Sequence, residues 1–474
     1  MGEIFSKDGI INIFLENANN VIWTYFLIWA LILCGLWFTW KTHFVQFRMA
    51  GEMIRLLADS AGAKQKEKHI SSFQAFSVSI ATRVGTGNLA GVATAIAIGG
   101  PGAVFWMWVI ALIGSATSFI ESTLAQLYKR PNKDSFIGGP AYYIERGLGK
   151  RWMAMLFSSL MILTFGLSYN SVQANTICGA MQNAFGWDPL VVGAVIAAIS
   201  MVIALGGIQR IAKVSSVVVP FMAIGYLILA VVIIIMNITL LPAVLKAIVE
   251  NAFGVVQIGG GTLGATMMNG IKRGLFSNEA GEGSAPHAAA TALCTHPVKQ
   301  GLIQALGVFT DTLLVCSCTA FIILISGLYT DTSLKGIGLT QAAMDAEVGQ
   351  AGTIFVALAI LLFAWSSIIG NDYYGESNIR FLTSNKTALQ LFRVASTGVM
   401  VMFGAAASLD LVWSLGDICM ALITIVNLTA ILFLAKYVFR SLDDYMSQKR
   451  KGIKEPVFHA DSLPEIKDDL EAWK

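Results

Sequence analysis

Residues 75–102, AFSVSIATRVGTGNLAGVATAIAIGGPG, constrain this chain more than any other stretch. They are long enough to cross a bilayer, which takes about 20 apolar residues, yet Val84-Gly85-Thr86-Gly87-Asn88 falls at their middle. Each glycine costs a helix interior roughly 1 kcal/mol relative to alanine. Backbone unwound at that depth finds no partner in lipid for its N–H and C=O groups. Something other than lipid must therefore face the break. A half-helix N-terminus there offers free N–H groups and a positive dipole end to an anion, while the unwound carbonyls suit a cation. Packing is the competing reading, because Gly85, Gly87 and Gly91 are also what close helix contacts in membranes use. The order GTGNLAG departs from the dinucleotide-binding spacing G-x-G-x-x-G.

A second interrupted stretch favours the site reading. Residues 259–293, GGGTLGATMMNGIKRGLFSNEAGEGSAPHAAATAL, carry a polar, glycine-rich centre between two helix-forming halves. Interrupted segments in corresponding places of two halves point to a transporter site. Composition agrees: 55% of residues are hydrophobic and only 13% charged, against about 25% charged in soluble domains. This predicts an all-α polytopic membrane protein in a lipid bilayer. A net charge of +3 gives no reason to expect nucleic acid as a partner. Cys34, Cys178, Cys294, Cys316, Cys318 and Cys419 all lie in apolar stretches without ligand-like spacing and read as packing residues.

Residues 1–20 lack the basic n-region of a signal peptide, so the first span itself is expected to direct insertion. Spans are expected near 21–40, 75–100, 103–128, 152–180, 189–207, 214–237, 258–293, 300–327, 350–381, 388–406 and 411–436, about eleven transmembrane helices. The loops then sort by charge. Lys41, Arg48, Arg55, Lys64, Lys66 and Lys68 fall on one side with Lys129, Arg130, Lys133, Arg146, Lys150, Arg151, Arg210, Lys213, Lys299, Arg380, Lys386, Arg440, Lys449, Arg450 and Lys451. The other side carries Asp188, Glu250, Asp331, Asp345, Glu347 and Asp410. The positive-inside rule places the N-terminus outside and the C-terminus in the cytoplasm. Five spans starting at each break define two units, 75–237 and 258–436, and an odd number inverts the second. They are preceded by residues 1–74, with one extra helix, linked by an outer-surface amphipathic helix or lid in 238–257, and followed by a polar cytoplasmic tail, 437–474, expected to be partly helical or disordered. Nothing in the sequence sets an oligomeric state.

The motifs VGTGNLAGVATAIAIGGPGAVFWMW and GLFSNEAGEGSAPHAAATA together resemble the signatures of the alanine or glycine:cation symporter family, prokaryotic sodium-coupled amino-acid carriers. The likeness runs from the first span to the last, and it implies a multi-pass protein of a prokaryotic plasma (inner) membrane. It implies a LeuT-type five-plus-five inverted repeat with two broken helices, and uptake of a small neutral amino acid, alanine and/or glycine, coupled to sodium entry, with a proton as the alternative ion. One sodium entering down about 100 mV supplies about 2.3 kcal/mol and a tenfold gradient about 1.4 more, enough for several-hundredfold accumulation of a zwitterion.

Within that frame the N–H groups of Thr86, Gly87 and Asn88 suit the substrate carboxylate. The carbonyls of Ala81 and Val84, before the break, have lost helical partners and suit sodium with the hydroxyls of Ser366 and Ser367; resemblance to LeuT-type carriers implies that sodium sits between those two helices. Both serines could instead return a bond to carbonyls one turn earlier. Phe276, Ser277 and Asn278 end a half-helix whose carbonyls suit an ammonium group. Phe276 and Trp365 are the aromatic walls expected to restrict the pocket to a small side chain, although aromatics often serve as packing alone. Gln173, near Asn170 and Asn175, is the amide expected at the substrate.

Arg83, Glu121, Glu279, Glu282, Asp311 and Asp372 are ionisable and deep, so each needs a partner or water; Arg83 and Glu282 flank the two breaks and are an expected pair. Two other classes fit the residues less well. Ser284, His287 and Glu279 are residue types of a serine hydrolase, but Ser and His on one short turn do not make the aligned nucleophile–base contact. An ion channel would use rings of carbonyls or charges from several subunits.

Overall fold

The computed structural model describes residues 10–62, 69–132, 135–254 and 263–473. Lys64, Lys66, Lys68 and Lys133 lie outside them, as does the start of the span expected at 258–293. The described chain is nearly all helix, with one two-stranded antiparallel hairpin, Arg130–Asn132 against Ser135–Ile137. Helix satisfies backbone groups within one segment, which is what lipid demands. Eight described helices are long and apolar enough to span: Asn17–Lys41, Gly102–Leu127, Arg151–Phe185, Gly207–Met236, Pro297–Ser326, Gln350–Leu382, Lys386–Ala406 and Leu409–Arg450. Gly87–Gly99 and Pro189–Ala204 are shorter apolar helices. The protein is an all-α polytopic membrane protein.

Both expected breaks are present. The half-helix Ser72–Arg83 starts at a reciprocal cap, in which Ser71 Oγ accepts from the Gln74 N–H (3.1 Å) and Gln74 Oε1 accepts from the Ser71 N–H (3.0 Å). It ends at Val84, where ψ is 89°. The chain resumes in a π-helical turn, Gly87–Gly91, and continues as Val92–Gly99. The second break separates Leu263–Asn278 from Ala285–Thr291, with Glu279, Gly281 and Gly283 at φ of 56°, 98° and 81°. Glycine adopts such angles without a Cβ clash. The start of one broken helix and the end of the other are tied together where the Leu293 N–H donates to Ile70 O at 3.1 Å.

The helix Gly102–Leu127 backs the second break. A Cβ on Gly274 would lie 2.7 Å from Ile110 Cγ2, and one on Gly270 would meet the Ala103 carbonyl. Small residues let helices approach closely where lipid supplies no hydrophobic drive. Residues 238–254 contain the helix Leu241–Ala252, whose Asn251 Oδ1 caps the Gly102 N–H at 3.1 Å.

The tail is partly helical and packs against the helices. The helix expected over 411–436 runs on to Arg450, and the chain beyond folds back in short 3₁₀ turns that bury Phe458, Leu463, Ile466 and Leu470. The Trp473 indole donates to Gln126 O at 2.8 Å, and the Phe458 N–H donates to Thr295 O at 2.9 Å. Apolar residues spaced among the charges give the tail a face to bury.

Candidate functional site

The two breaks meet. A Cβ added to Gly87 would lie 2.9 Å from Ser277 Cα and 3.2 Å from Phe276 Cδ1, so the first break passes directly over the last turn of Leu263–Asn278. Phe276 lies between two further rings, with centroids 4.7 Å from Tyr169 and 4.7 Å from Trp413. Trp365 makes no ring contact with Phe276; it is half-buried on Gln350–Leu382, and Trp413 and Tyr169 form the stack instead. Arg273 closes the outer side of the stack, its guanidinium 4.3 Å from the Trp413 ring centroid and ion-paired to Asp417. Beyond this pair opens a cavity of about 450 Å³, lined by Asn269, Lys272, Tyr329, Lys335 and Asp410 among others.

At the first break the N–H groups are partly engaged. Gly85 N–H donates to Asn88 Oδ1 (2.9 Å), Asn88 N–H to Gly85 O (3.3 Å), and Thr86 N–H to Gln173 Oε1 (3.0 Å). Gln173 thus reaches the break, whereas Asn170 and Asn175 turn away to Ser396 and to the carbonyls of Gly404 and Ala407. Thr86 Oγ1 is buried without a hydrogen-bond partner among the described residues.

Asp311 ties the breaks together. Its Oδ1 accepts from Asn88 Nδ2 (2.7 Å), and its Oδ2 accepts from Ser277 Oγ (2.7 Å) and from Thr312 Oγ1 (2.9 Å). Asp311 sits on the π-helical segment Phe309–Cys316, a distortion common at functional sites. Asn278 donates to Thr312 Oγ1 at 3.2 Å. In the sequence Asp311 stands out only as a deep charge, and Trp413 looks like an interfacial anchor near a helix start; neither carries a sign of its three-dimensional neighbours.

A second cluster lies on the inner flank of the first break. Ser367 Oγ donates to Ala81 O (2.8 Å), Phe363 O (3.1 Å) and Thr82 O (3.2 Å); Ser366 Oγ donates to Phe363 O (2.8 Å) and reaches Ala81 O at 3.4 Å. The bonds to Phe363 are returns to an earlier turn. Those to Ala81 and Thr82 cross between helices and gather carbonyl and hydroxyl oxygens of the kind hard cations take. Val84 ends the half-helix beside them.

The expected Arg83–Glu282 pair does not form. Arg83 donates to Gln304 O (3.0 Å) and Ser118 Oγ (3.1 Å), and Glu282 accepts from the Tyr169 hydroxyl at 3.2 Å. The guanidinium is held by a carbonyl of the helix Pro297–Ser326 and acts on the carboxylates of the second break only from beyond ion-pair distance. Glu121 instead holds that break, its two oxygens accepting from Gly281 N–H (3.2 Å), Gly283 N–H (3.1 Å) and Asn427 Nδ2 (2.8 Å). Ser284 Oγ and His287 make no nucleophile–base contact: Ser284 Oγ donates to Glu279, and His287 Nδ1 lies 3.1 Å from the Ser284 carbonyl.

Residues 8–460 match the model of the sodium:alanine symporter family. The chain is 52% identical to GlnT of Bacillus subtilis, a probable sodium/glutamine symporter, over 96% of this chain and 95% of that one. It is 46% identical to the amino-acid carrier protein AlsT of the same organism, over 98% of each, and 37% identical to the sodium/alanine symporter AgcS of Methanococcus maripaludis, over 90% and 95%. A solved manganese transporter of Eremococcus coleocola, only 15% identical, matches 85% of this chain and 84% of its own with a TM-score of 0.50, a likeness of fold alone. Matched along nearly its whole length, the chain belongs to the sodium:alanine symporter family and is a sodium-coupled amino-acid transporter rather than an enzyme.

Proposed function

We propose that this transporter carries alanine or glycine inward with sodium by alternating access. The observation that supports this most is the approach of Gly87 to Ser277 and Phe276, where the space a Cβ would need is already taken. Breaks that meet this closely, backed by the Tyr169–Phe276–Trp413 stack, suit a substrate side chain no larger than a methyl group. The substrate carboxylate takes the Gly87 N–H and Thr86 Oγ1, and displaces Gln173 Oε1 from the Thr86 N–H. The ammonium group takes the carbonyl end of the half-helix at Phe276, Ser277 and Asn278, with Asp311 as its counter-charge. Sodium takes the carbonyls of Ala81 and Val84 with the hydroxyls of Ser366 and Ser367; a proton is the alternative coupling ion. The N-terminus lies outside, and residues 75–237 and 258–436 are the two inverted units that rock about the site.

Glutamine is the second reading, favoured by the 52% identity to a probable sodium/glutamine symporter. Uptake of labelled alanine into proteoliposomes, driven by an inward sodium gradient and challenged with unlabelled glycine, glutamine and leucine, separates the two. Glycine competing as alanine does supports the small-substrate reading. Glutamine outcompeting both overturns it, and absence of sodium-driven accumulation overturns the coupling.

A further inference from the structure

Glu279 is where the helix Leu263–Asn278 stops, and its backbone is left-handed at φ 56°. A side chain bearing a Cβ persists there only when its surroundings impose the strain. Those surroundings are two hydroxyls: Glu279 Oε2 accepts from Ser284 Oγ at 2.6 Å and lies 3.2 Å from Thr82 Oγ1, whose single proton it shares with Ser79 O at 2.9 Å. Ser284 leads into the second half of the second broken helix, and Thr82 lies in the last turn of the first half of the first. One carboxylate oxygen therefore joins the two breaks.

Thr82 is also tied to Gln350–Leu382, the other helix of the cation cluster. Its carbonyl accepts from Ser367 Oγ at 3.2 Å, and its hydroxyl lies 3.3 Å from the Tyr374 hydroxyl. Gly370 is packed so closely that a Cβ there would collide with the Thr82 side chain. Glu279 is 1% exposed and forms no ion pair among the described residues, Arg83 being engaged by Gln304 and Ser118. Arg83 still acts on Glu279 electrostatically, from beyond ion-pair distance; a carboxylate buried outside a direct ion pair is costly, and the carbonyl and hydroxyl oxygens beside Thr82 are a cation cradle with no charge of their own.

We infer that Glu279 is the positioning residue that links the sodium cradle to the amino-acid site. An ion held by Ala81, Ser366 and Ser367 fixes the turn that carries Thr82. Thr82 in turn fixes Glu279, and Glu279 fixes the half-helix end at Ser277 and Asn278. The inference rests on the sodium assignment proposed above. Coupling of this kind is reciprocal and shows as the ratio of substrate affinities with and without sodium, typically about 5- to 150-fold.

The test measures alanine binding by calorimetry on purified protein in saturating sodium and in choline. The proteins compared are the parent, Glu279→Gln, Thr82→Val and the double variant Ser366→Ala/Ser367→Ala. Glu279→Gln removes the charge, while Thr82→Val keeps it and removes the hydroxyl that joins it to the cradle. Both are expected to bring the sodium enhancement to less than about threefold, a ratio that a general loss of folded protein leaves unmoved. A parental ratio in either folded variant, with the enhancement lost in the serine variant, overturns the role of Glu279 while the sodium assignment stands. A parental ratio in the serine variant overturns the assignment and the link together.

Discussion

The Ser367 hydroxyl donates to the Ala81 carbonyl across 2.8 Å, joining the middle of Gln350–Leu382 to the last full turn before the first break. In the sequence these residues are far apart, and their meeting gives the cation assignment a geometry to test. A hydrogen bond to a charged group contributes about 1.5–3 kcal/mol. Ser366→Ala with Ser367→Ala is therefore expected to raise the sodium concentration for half-maximal uptake about tenfold or more, with a smaller effect on alanine affinity once sodium saturates. Sodium titration of uptake in the double variant checks this; an unmoved midpoint removes both hydroxyls from the ion site.

Phe276 sits between Tyr169 and Trp413 with both centroids at 4.7 Å. Shortening either outer contact opens the wall, and one methylene is worth about 1–3 kcal/mol of discrimination in an apolar pocket. Phe276→Leu and Trp413→Leu are expected to weaken alanine binding and to let valine and leucine compete. Trp365→Leu is expected to change the competition profile less, since its ring does not touch Phe276. A profile altered only in the Trp365 variant would return that residue to the wall in place of Trp413.

What was legible in the sequence was local chemistry that lipid makes conspicuous. Glycines at Gly85, Gly87, Gly281 and Gly283 announce broken helices because unwound backbone has no other tolerable setting in a membrane. The hydroxyls of Ser366 and Ser367 and the carboxamide of Gln173 are polar in apolar stretches, and the structure brings all three to the first break. What escaped was long-range pairing. Asp311 bridges Asn88 and Ser277 only because three helices converge, and Arg83 passes Glu282 by because its reach is set by neighbouring helices. The packing of the partly helical tail is hidden by its frequent charges. Its buried residues, Phe458, Leu463, Ile466 and Leu470, are too sparse to register as a helix period.

On the basic-rich face, Glu52 is held down to about pKa 2, chiefly by its hydrogen bond to Arg55, with the Tyr445 hydroxyl and Lys449 adding to it. A carboxyl whose pKa is depressed on folding contributes stability that is present above its unfolded value, about 4.3. That contribution is lost as pH falls toward 2. Glu52→Gln is expected to cost about 1 kcal/mol at pH 7 once solvent screening is allowed for. Thermal unfolding at pH 7, 5 and 3.5 is expected to show the gap between parent and variant narrowing only below about pH 4.5. A gap that persists unchanged to pH 3.5 would assign the loss to packing against Tyr445 rather than to charge.

Gly87 stands where the two breaks meet. Its absent Cβ is the room in which the first break passes Ser277, with 2.9 Å to Ser277 Cα and 3.2 Å to Phe276 Cδ1. Backbone cannot yield as a flexible side chain can, so Gly87→Val is expected to push the breaks apart and abolish alanine binding. Gly91 is a built-in control, because the nearest atom to a Cβ there is Trp413 Cη2 at an ordinary 3.6 Å. Gly91→Ala is expected to keep binding, since alanine is also a better helix former than glycine by roughly 1 kcal/mol. If the glycines served helix packing alone, Gly87→Val would lose stability while each folded molecule still bound substrate. Calorimetric alanine affinity, normalised to monodisperse protein from size exclusion, distinguishes the cases. Parental affinity in folded Gly87→Val would move the carboxylate away from Thr86 and Gly87, and with it the substrate away from the meeting of the two breaks.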